Sequence, residues 1–410
     1  MTIELRGLRE KEWDAWFAGL EWAFGGVSKA PEERALWREL TEIDRSLAAW
    51  DGDRSVGSFS SFSFLMTVPG GNPVPTAGVT MVSVAATHRR RGLLRRMMRS
   101  ALQGFHEAGE PLAALTASEQ QIYGRFGYGV ATRAMRATID TARVRVTPPA
   151  SADDLTLTVL PPAEAAARCE ELYARLVPTR PGVLARQPGW EKLPLFDPPR
   201  ERNGASELRC VLAERDGELL GYARYALKPR WEATVPDGTV LVRDLTAAEP
   251  AAYGALLRFL CETDLMSTVV LENRPADDPL IHLVSDVRRC QLRTIDRLHV
   301  RTVDVGAALA ARTYAREVDV VLAVEDELCP WNTGRWRLSG GPEGAVCERT
   351  TDPADLSFEH VRALGAAYLG DASLAALAGA GLVRELRDGA LAPAATAFSS
   401  AVAPWLPHGF

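Results

Sequence analysis

The hydrophobic pattern of this chain changes period most sharply just after residue 84. Residues 79–84 are β-branched and apolar on both faces, which predicts a central strand covered on two sides. Beyond Thr87 the apolar positions recur at helical spacing, Leu94, Met98, Leu102 and Phe105, with Arg95, Arg96 and Arg99 opposite them. Between strand and helix lies His88-Arg89-Arg90-Arg91-Gly92. A strand that feeds a helix through a basic, glycine-containing turn gathers backbone N–H groups and the positive end of the helix dipole at one spot. Such a spot suits an anion, a pyrophosphate in particular. The plainer reading is a solvated basic helix start.

The pattern elsewhere predicts a repeated layout. Residues 6 to about 50 read as largely helical, and five of the ten tryptophans fall there. Trp13, Trp16 and Leu20 have the spacing of a buried helix face, and Trp37 follows a helix start at Pro31-Glu32-Glu33. Residues 47–50 and 55–64 flank Asp51-Gly52-Asp53, a hairpin signal. A Gly/Pro-rich loop at 68–75 leads to the central strand and helix. A strand at 112–116 and another at 131–139 then close the unit, and Pro148-Pro149 marks a boundary. A fainter copy follows: strand, Asp216-Gly217 turn, strand, then 240–245, a helix at 251–260 and a strand at 267–271. Its turn after Asp244 has no Arg and no Gly and is acidic where a pyrophosphate needs cations. From residue 299 the pattern becomes strands (300–305, 318–324, 336–338, 345–348), then helices (358–364, 373–379, 381–386), then an apolar tail ending in Phe410.

Composition narrows the function classes. The 410 residues carry 47% apolar and 24% charged residues, those of a globular protein with room for two or three domains. A net charge of −6 lacks the basic footprint of a nucleic-acid binder, so the cluster at 89–99 reads as a site. No run reaches the ~18 apolar residues that span a bilayer, and the charged N-terminus lacks a signal-peptide core. Six scattered cysteines without a C-x-x-C pair read as reduced and buried, so a cytoplasmic protein is expected. The few histidines do not cluster with cysteine, and no metal site is expected.

The basic turn excludes two familiar phosphate loops. A Walker loop needs Gly-Lys-Ser/Thr after a longer glycine-rich run, and a dinucleotide fingerprint needs three glycines where only Gly92 stands. What remains, Arg89-Arg90-Arg91-Gly92-Leu93-Leu94, resembles the acetyl-CoA pyrophosphate loop of the GNAT N-acetyltransferases. Leu94 stands where that loop usually has a small residue. Two further segments, Ala117-Ser-Glu-Gln-Gln-Ile-Tyr-Gly-Arg-Phe-Gly-Tyr-Gly129 and Cys329-Pro-Trp-Asn-Thr-Gly-Arg-Trp336, extend the resemblance over the full length. Together they resemble the enhanced intracellular survival (Eis) family of actinobacterial acetyltransferases.

The resemblance implies an α/β (α+β) chain in three parts. These are an active GNAT domain at 1–148, a degenerate GNAT-like domain at 149–298, and a sterol-carrier-protein-like domain at 299–410 whose tail enters the active site. It implies acetyl-CoA as cosubstrate, hexamers, and acetylation of primary amines, aminoglycosides foremost, with lysine side chains or polyamines as alternatives. Val82 and Val84 would hold the pantetheine. Arg89, Arg90, Gly92 and Leu93 would surround the pyrophosphate, and Ser118 would touch the cofactor. Tyr123 would be the general acid, since a phenol is protonated at neutral pH and can donate to a thiolate. The α-carboxylate of Phe410 would be the base. Phe24, Trp37 and Met81 would line an apolar-walled acceptor site, and Gly409 stands where an acid would favour a polycation. The rival reading is a non-enzymatic, lipid-binding or structural oligomer with an idle GNAT site.

Overall fold

The apolar run at 79–84 is the second half of a longer strand, and that strand organises the first sheet. The computed structural model of the chain describes residues 3–410. It divides into two units: residues up to 132 with 180–185 and 296–410, and residues 133–179 with 186–295. In the first unit, β1 (Glu4–Gly7), β2 (Leu47–Asp51), β3 (Arg54–Thr67), β4 (Pro73–Val84) and β5 (Leu112–Thr116) are neighbours in that order. Strand Leu298–Thr302 and then β6 (Gly129–Val130) complete the row. The Asp-Gly turn joins β2 to β3 as its sequence predicts, with Gly52 at φ +60. In this row, among the described residues, only β4 and β5 run parallel, joined by α3 (Leu93–Glu107).

Elements cover both faces of the sheet, although Thr80, Met81, Val82 and Val84 of the apolar run are only half-buried. One face of the sheet packs on α3 through Met97, Met98, Leu102 and Phe105, against Phe59, Ala77, Val79, Ala113 and Leu115. The other carries α1 (Trp13–Ala23) and α2 (Pro31–Leu40), with Trp13, Trp16 and Phe17 buried against Ala48 and Trp50. The indole of Trp16 donates to the Leu47 carbonyl at 3.0 Å, so the tryptophan-rich helix is pinned to β2.

The strand predicted at 131–139 does not close this sheet. It is β7 (Arg133–Asp140), and it pairs antiparallel with β15 (Met266–Pro275) in the second unit's sheet. The place beside β5 is taken by Leu298–Thr302, a stretch predicted to open the third part of the chain. Each sheet is thus completed by a strand from outside its own run of sequence. The second sheet orders as β16 (Arg293–Asp296), β7, β15, β14 (Gly238–Ala247), β11 (Glu218–Lys228), β10 (Arg209–Arg215) and β8 (Thr156–Leu160). Here too one pair, β14 and β15, is parallel and is joined by a helix, α6 (Pro250–Cys261).

The last strands belong to the first unit. Leu298–Thr302 is β17, and Val305, predicted as its end, instead starts α8 (Val305–Ala310), capped by Asp304. A five-stranded sheet follows, β20 (Gly344–Arg349), β19 (Gly334–Gly341), β18 (Val318–Val324), β21 (Leu356–Phe358) and β22 (Arg384–Glu385). The helix predicted at 358–364 is displaced to α9 (Val361–Ala367), and 381–386 contains β22 rather than a helix.

Candidate active site

The parallel ladder between β4 and β5 is short, and the site opens where it ends. Its pairs are Thr76↔Leu112, Ala77↔Ala113 and Gly78↔Ala114. Beyond Gly78 the two strands part. On its other edge β4 stays paired with β3, but out of step: Ser60 faces Thr80 while Ser58 faces Ser83. One extra residue therefore sits on β4, a bulge, and Met81 takes φ +51 there. The Ser58 hydroxyl donates to the Met81 carbonyl at 2.8 Å and meets the Ser83 hydroxyl at 2.7 Å, which holds the bulge in place. Val82 and Val84 turn toward the α3 side, packed on the same core as Ile122 and Tyr123. Met81 turns to the other side, with Trp37 and Leu20.

Above the bulge the basic turn delivers the start of α3. Arg90 and Gly92 both adopt left-handed backbone, φ +62 and +76, the conformation from which anion nests are built. No side chain caps the helix, and a Cβ placed on Gly92 would meet nothing, so the approach is open. Arg89, Arg90 and Arg91 are exposed. Leu93 is different: its side chain is buried, leaving only its backbone to the turn. Ser118 is exposed in the bend after β5.

Tyr123 lies at the end of α4 (Gln120–Tyr123), half-buried, its ring edge-on to Tyr128 at 6.2 Å. Burial, and then the nearby Glu119 carboxylate, push its phenol up to about 12. Tyr128 is fully buried and its hydroxyl points to the Met98 sulfur at 3.7 Å, so it is a core residue. The turn after Tyr123 is clasped from the far end of the chain. Arg301 of β17 donates to the Phe126 carbonyl at 2.7 Å and to both Asp326 oxygens at 2.9 and 2.8 Å. Asp326 also accepts from the N–H groups of Leu328 and Cys329 and from the Asn332 amide. The Gly-Arg-Phe-Gly segment and the Cys329-Pro-Trp-Asn segment are therefore two sides of one buried polar joint.

The chain's last residue also reaches this region. The Phe410 ring stands edge-on to Phe64 with centroids 5.0 Å apart. A Cβ on Gly78 would strike the Phe64 ring and come within 3.3 Å of the Phe410 ring. From Phe410 the rings continue through Phe64 to Phe62 at 5.7 Å and Trp37 at 6.5 Å. Trp37 is fixed by its indole N–H, which donates to Glu33 at 3.1 Å. Sequence reading missed Phe62 and Phe64 as wall residues. Their alternation in Ser-Phe-Ser-Phe was the available signal, since i and i+2 of a strand share a face. Phe24 is not part of this wall. It sits past the end of α1, 61% exposed, beside Trp22 and Val27 at 72% and 80%.

Three comparisons bear on what this arrangement is. Residues 4–131 and 182–302 each match a family described as an acetyltransferase (GNAT) domain, and residues 305–407 match a sterol carrier protein domain. An "Uncharacterized N-acetyltransferase" of Streptomyces avermitilis is 58% identical over 410 residues, covering all of both chains. The N-acetyltransferase Eis of Mycobacterium tuberculosis is 34% identical over 418 residues, covering 98% of each chain. The chain belongs to the Eis family of GNAT N-acetyltransferases. The crystal structure of Eis1 from Mycobacterium abscessus superposes with a TM-score of 0.84 at 33% identity, covering all of both chains.

As an Eis-family acetyltransferase, the chain carries two GNAT domains whose sites differ. GNAT domains in general use acetyl-CoA. In the first, an uncapped helix start in an open, cationic, left-handed turn fits its pyrophosphate. In the second, the equivalent helix α6 begins at Glu249-Pro250, and the Glu249 carboxylate is held by Arg215 at 3.2 and 2.8 Å. That helix start carries an acid paired with an arginine, and the turn after Asp244 has neither the arginines nor the glycine of the first. Among the described residues no helix is long and apolar enough to cross a membrane.

Proposed function

We propose that this chain transfers the acetyl group of acetyl-CoA to a primary amine, with aminoglycosides as the first acceptor class to test. Lysine side chains and polyamines are the alternatives. The observation that carries this reading is the seating of Phe410 against Phe64 and over Gly78, where β4 and β5 part. In this reading the α-carboxylate of Phe410 serves the site as its base.

Arg89, Arg90 and the backbone of Gly92 and Leu93 bind the pyrophosphate, while Val82 and Val84 offer backbone groups to the pantetheine. Ser118, exposed in the bend after β5, would touch the cofactor. When bound, acetyl-CoA supplies an activated thioester. A backbone N–H beside the Met81–Val82 bulge polarises the thioester oxygen. The α-carboxylate of Phe410, whose ordinary pKa is about 3.5, takes the proton from the acceptor ammonium directly or through one water. Tyr123, protonated throughout the neutral range, donates to the departing thiolate. Trp37, Phe62, Phe64 and Met81 form the apolar wall that positions the acceptor. The same resemblance implies a homo-hexamer, which light scattering on the full chain would measure.

Thiol release is the decisive assay, run with acetyl-CoA against aminoglycosides, polyamines and lysine peptides. The wild type should turn over at least one class. Tyr123→Phe and a chain lacking residues 408–410 should each lose about a hundredfold or more. Full activity in the shortened chain would remove Phe410 from the mechanism. Acetyl-CoA that neither reacts nor raises the melting temperature would remove the enzyme reading and leave the lipid-binding or structural one.

A further inference from the structure

The second unit, which lacks a cofactor turn, nevertheless keeps a cleft of about 400 Å³. Loop 196–208 forms one side and strands β11 and β14 the other. Its place in the fold follows from register. In the first unit the bulge on β4 lies between the pairs Ser60↔Thr80 and Ser58↔Ser83. In the second, β14 carries one extra residue, Arg243, between Tyr225↔Val242 and Arg224↔Asp244. Laid bulge on bulge, Ala226, Lys228, Leu241 and Val242 take the ladder positions of Ser60, Phe62, Thr80 and Met81. The cleft therefore occupies the acceptor side of a GNAT sheet.

Its lining has changed from aromatic to ionic. Arg202 lies 3.0 Å from Asp197, and Arg243 lies 3.8 Å from the same carboxylate while donating to the Phe196 carbonyl. Asp197 also accepts the Leu208 N–H at 2.9 Å, so its oxygens are taken by protein groups. Glu201 is the other acid of the lining, against Arg202, Arg243 and Lys228. Three cations share the lining with two carboxylates; Arg202 also lies 3.4 Å from Glu207 outside the lining, and the exposed Lys228 side chain makes no hydrogen bond or ion pair among the described residues. The same loop and strands bring Phe196, Pro198, Leu208 and Leu241 to the lining among these charges. Cationic and apolar groups mixed in one cleft, at the small end of ligand-pocket volumes, suit a ligand with one charged and one apolar end.

We propose that this cleft binds a small organic anion, a carboxylate or a phosphate monoester on a compact apolar body. Its charge pairs with Lys228 and Arg243, and its body lies against Phe196, Leu208 and Leu241. The site is independent of the acetyltransferase reading.

The test is ligand-observed NMR and calorimetry on the full chain with benzoate, indole-3-acetate and phenyl phosphate, with benzylamine as the cationic control. Saturable binding of at least one anion, and none of benzylamine, is expected. Lys228→Glu should weaken the anion at least tenfold, and Leu241→Trp, which fills the cleft, should abolish binding. An unchanged melting temperature in each variant shows that it folds. Comparing benzoate with phenyl phosphate identifies the preferred charged group. Binding of no anion, equal binding of benzylamine, or full affinity in both variants would overturn the proposal.

Discussion

Tyr123 is set up to give a proton rather than to take one. Burial and the Glu119 carboxylate push its phenol up to about 12, so it carries its proton through the whole neutral range. The sign of the linked stability follows. The folded chain binds this proton more tightly than the unfolded chain, whose tyrosine titrates near about 10. That contribution is complete below pH ~10 and disappears as pH rises toward ~12. Denaturant unfolding on either side of this window should show the wild type losing more stability with rising pH than Tyr123→Phe does. Equal losses would mean that the phenol is not perturbed. Gly78 makes a second claim at this scale. Any side chain there strikes the Phe64 ring and crowds Phe410. Gly78→Ala should lower kcat at least tenfold by displacing the terminal ring, while acetyl-CoA affinity, read by calorimetry, stays within about twofold. Tyr123 and the basic turn were legible because their spacing is local. Phe62, Phe64 and the Phe410 contact were not, because nothing local to β3 says which ring meets the last residue of the chain.

Among the elements, β17 binds the site together. Its Arg301 is fully buried, paired with Asp326 and bonded to Phe126, next in the chain to Gly127 at φ +86. A Cβ on Gly127 would fall on the Arg301 guanidinium, which explains the glycine in Gly-Arg-Phe-Gly. Arg301→Met should destabilise the fold by about 3–5 kcal/mol, because it leaves Asp326 buried without its cation. Thermal unfolding measures this, and a loss under ~1 kcal/mol would show that Asp326 is served by its other donors. The periodic elements were readable: α3, α6, β5 and β18 stand within a residue or so of where their patterns predict. The C-terminal helices were harder. Residues 381–386 have a short apolar stretch that a helix and an edge strand explain equally well, and pairing with β21 decides for the strand. Leu391–Phe398, rich in alanine and interrupted by Pro393, gave no periodic signal and is nonetheless a helix.

At the scale of the molecule, the completing strands come from outside each sheet's own stretch of sequence. β17 covers the open edge of β5 from almost two hundred residues downstream, and β7 leaves the first run of strands to pair in the second unit. A fragment comprising residues 1–148 should therefore fail to fold alone. It would expose the β5 edge and leave β6 with no partner, a condition that favours aggregation. Gel filtration and circular dichroism of that fragment check this, and a monomeric, cooperatively melting product would contradict it. The sequence by itself determined the basic, glycine-containing turn before α3, the repeated strand–helix layout and the acidic character of the second copy's turn, because each depends on residues within one element or one loop. Only the tertiary structure decided which strand completes which sheet, which rings of β3 run toward Trp37, and which ring Phe410 meets. Those outcomes depend on pairings between residues hundreds of positions apart, and strand pattern specifies a face and a period but not a partner.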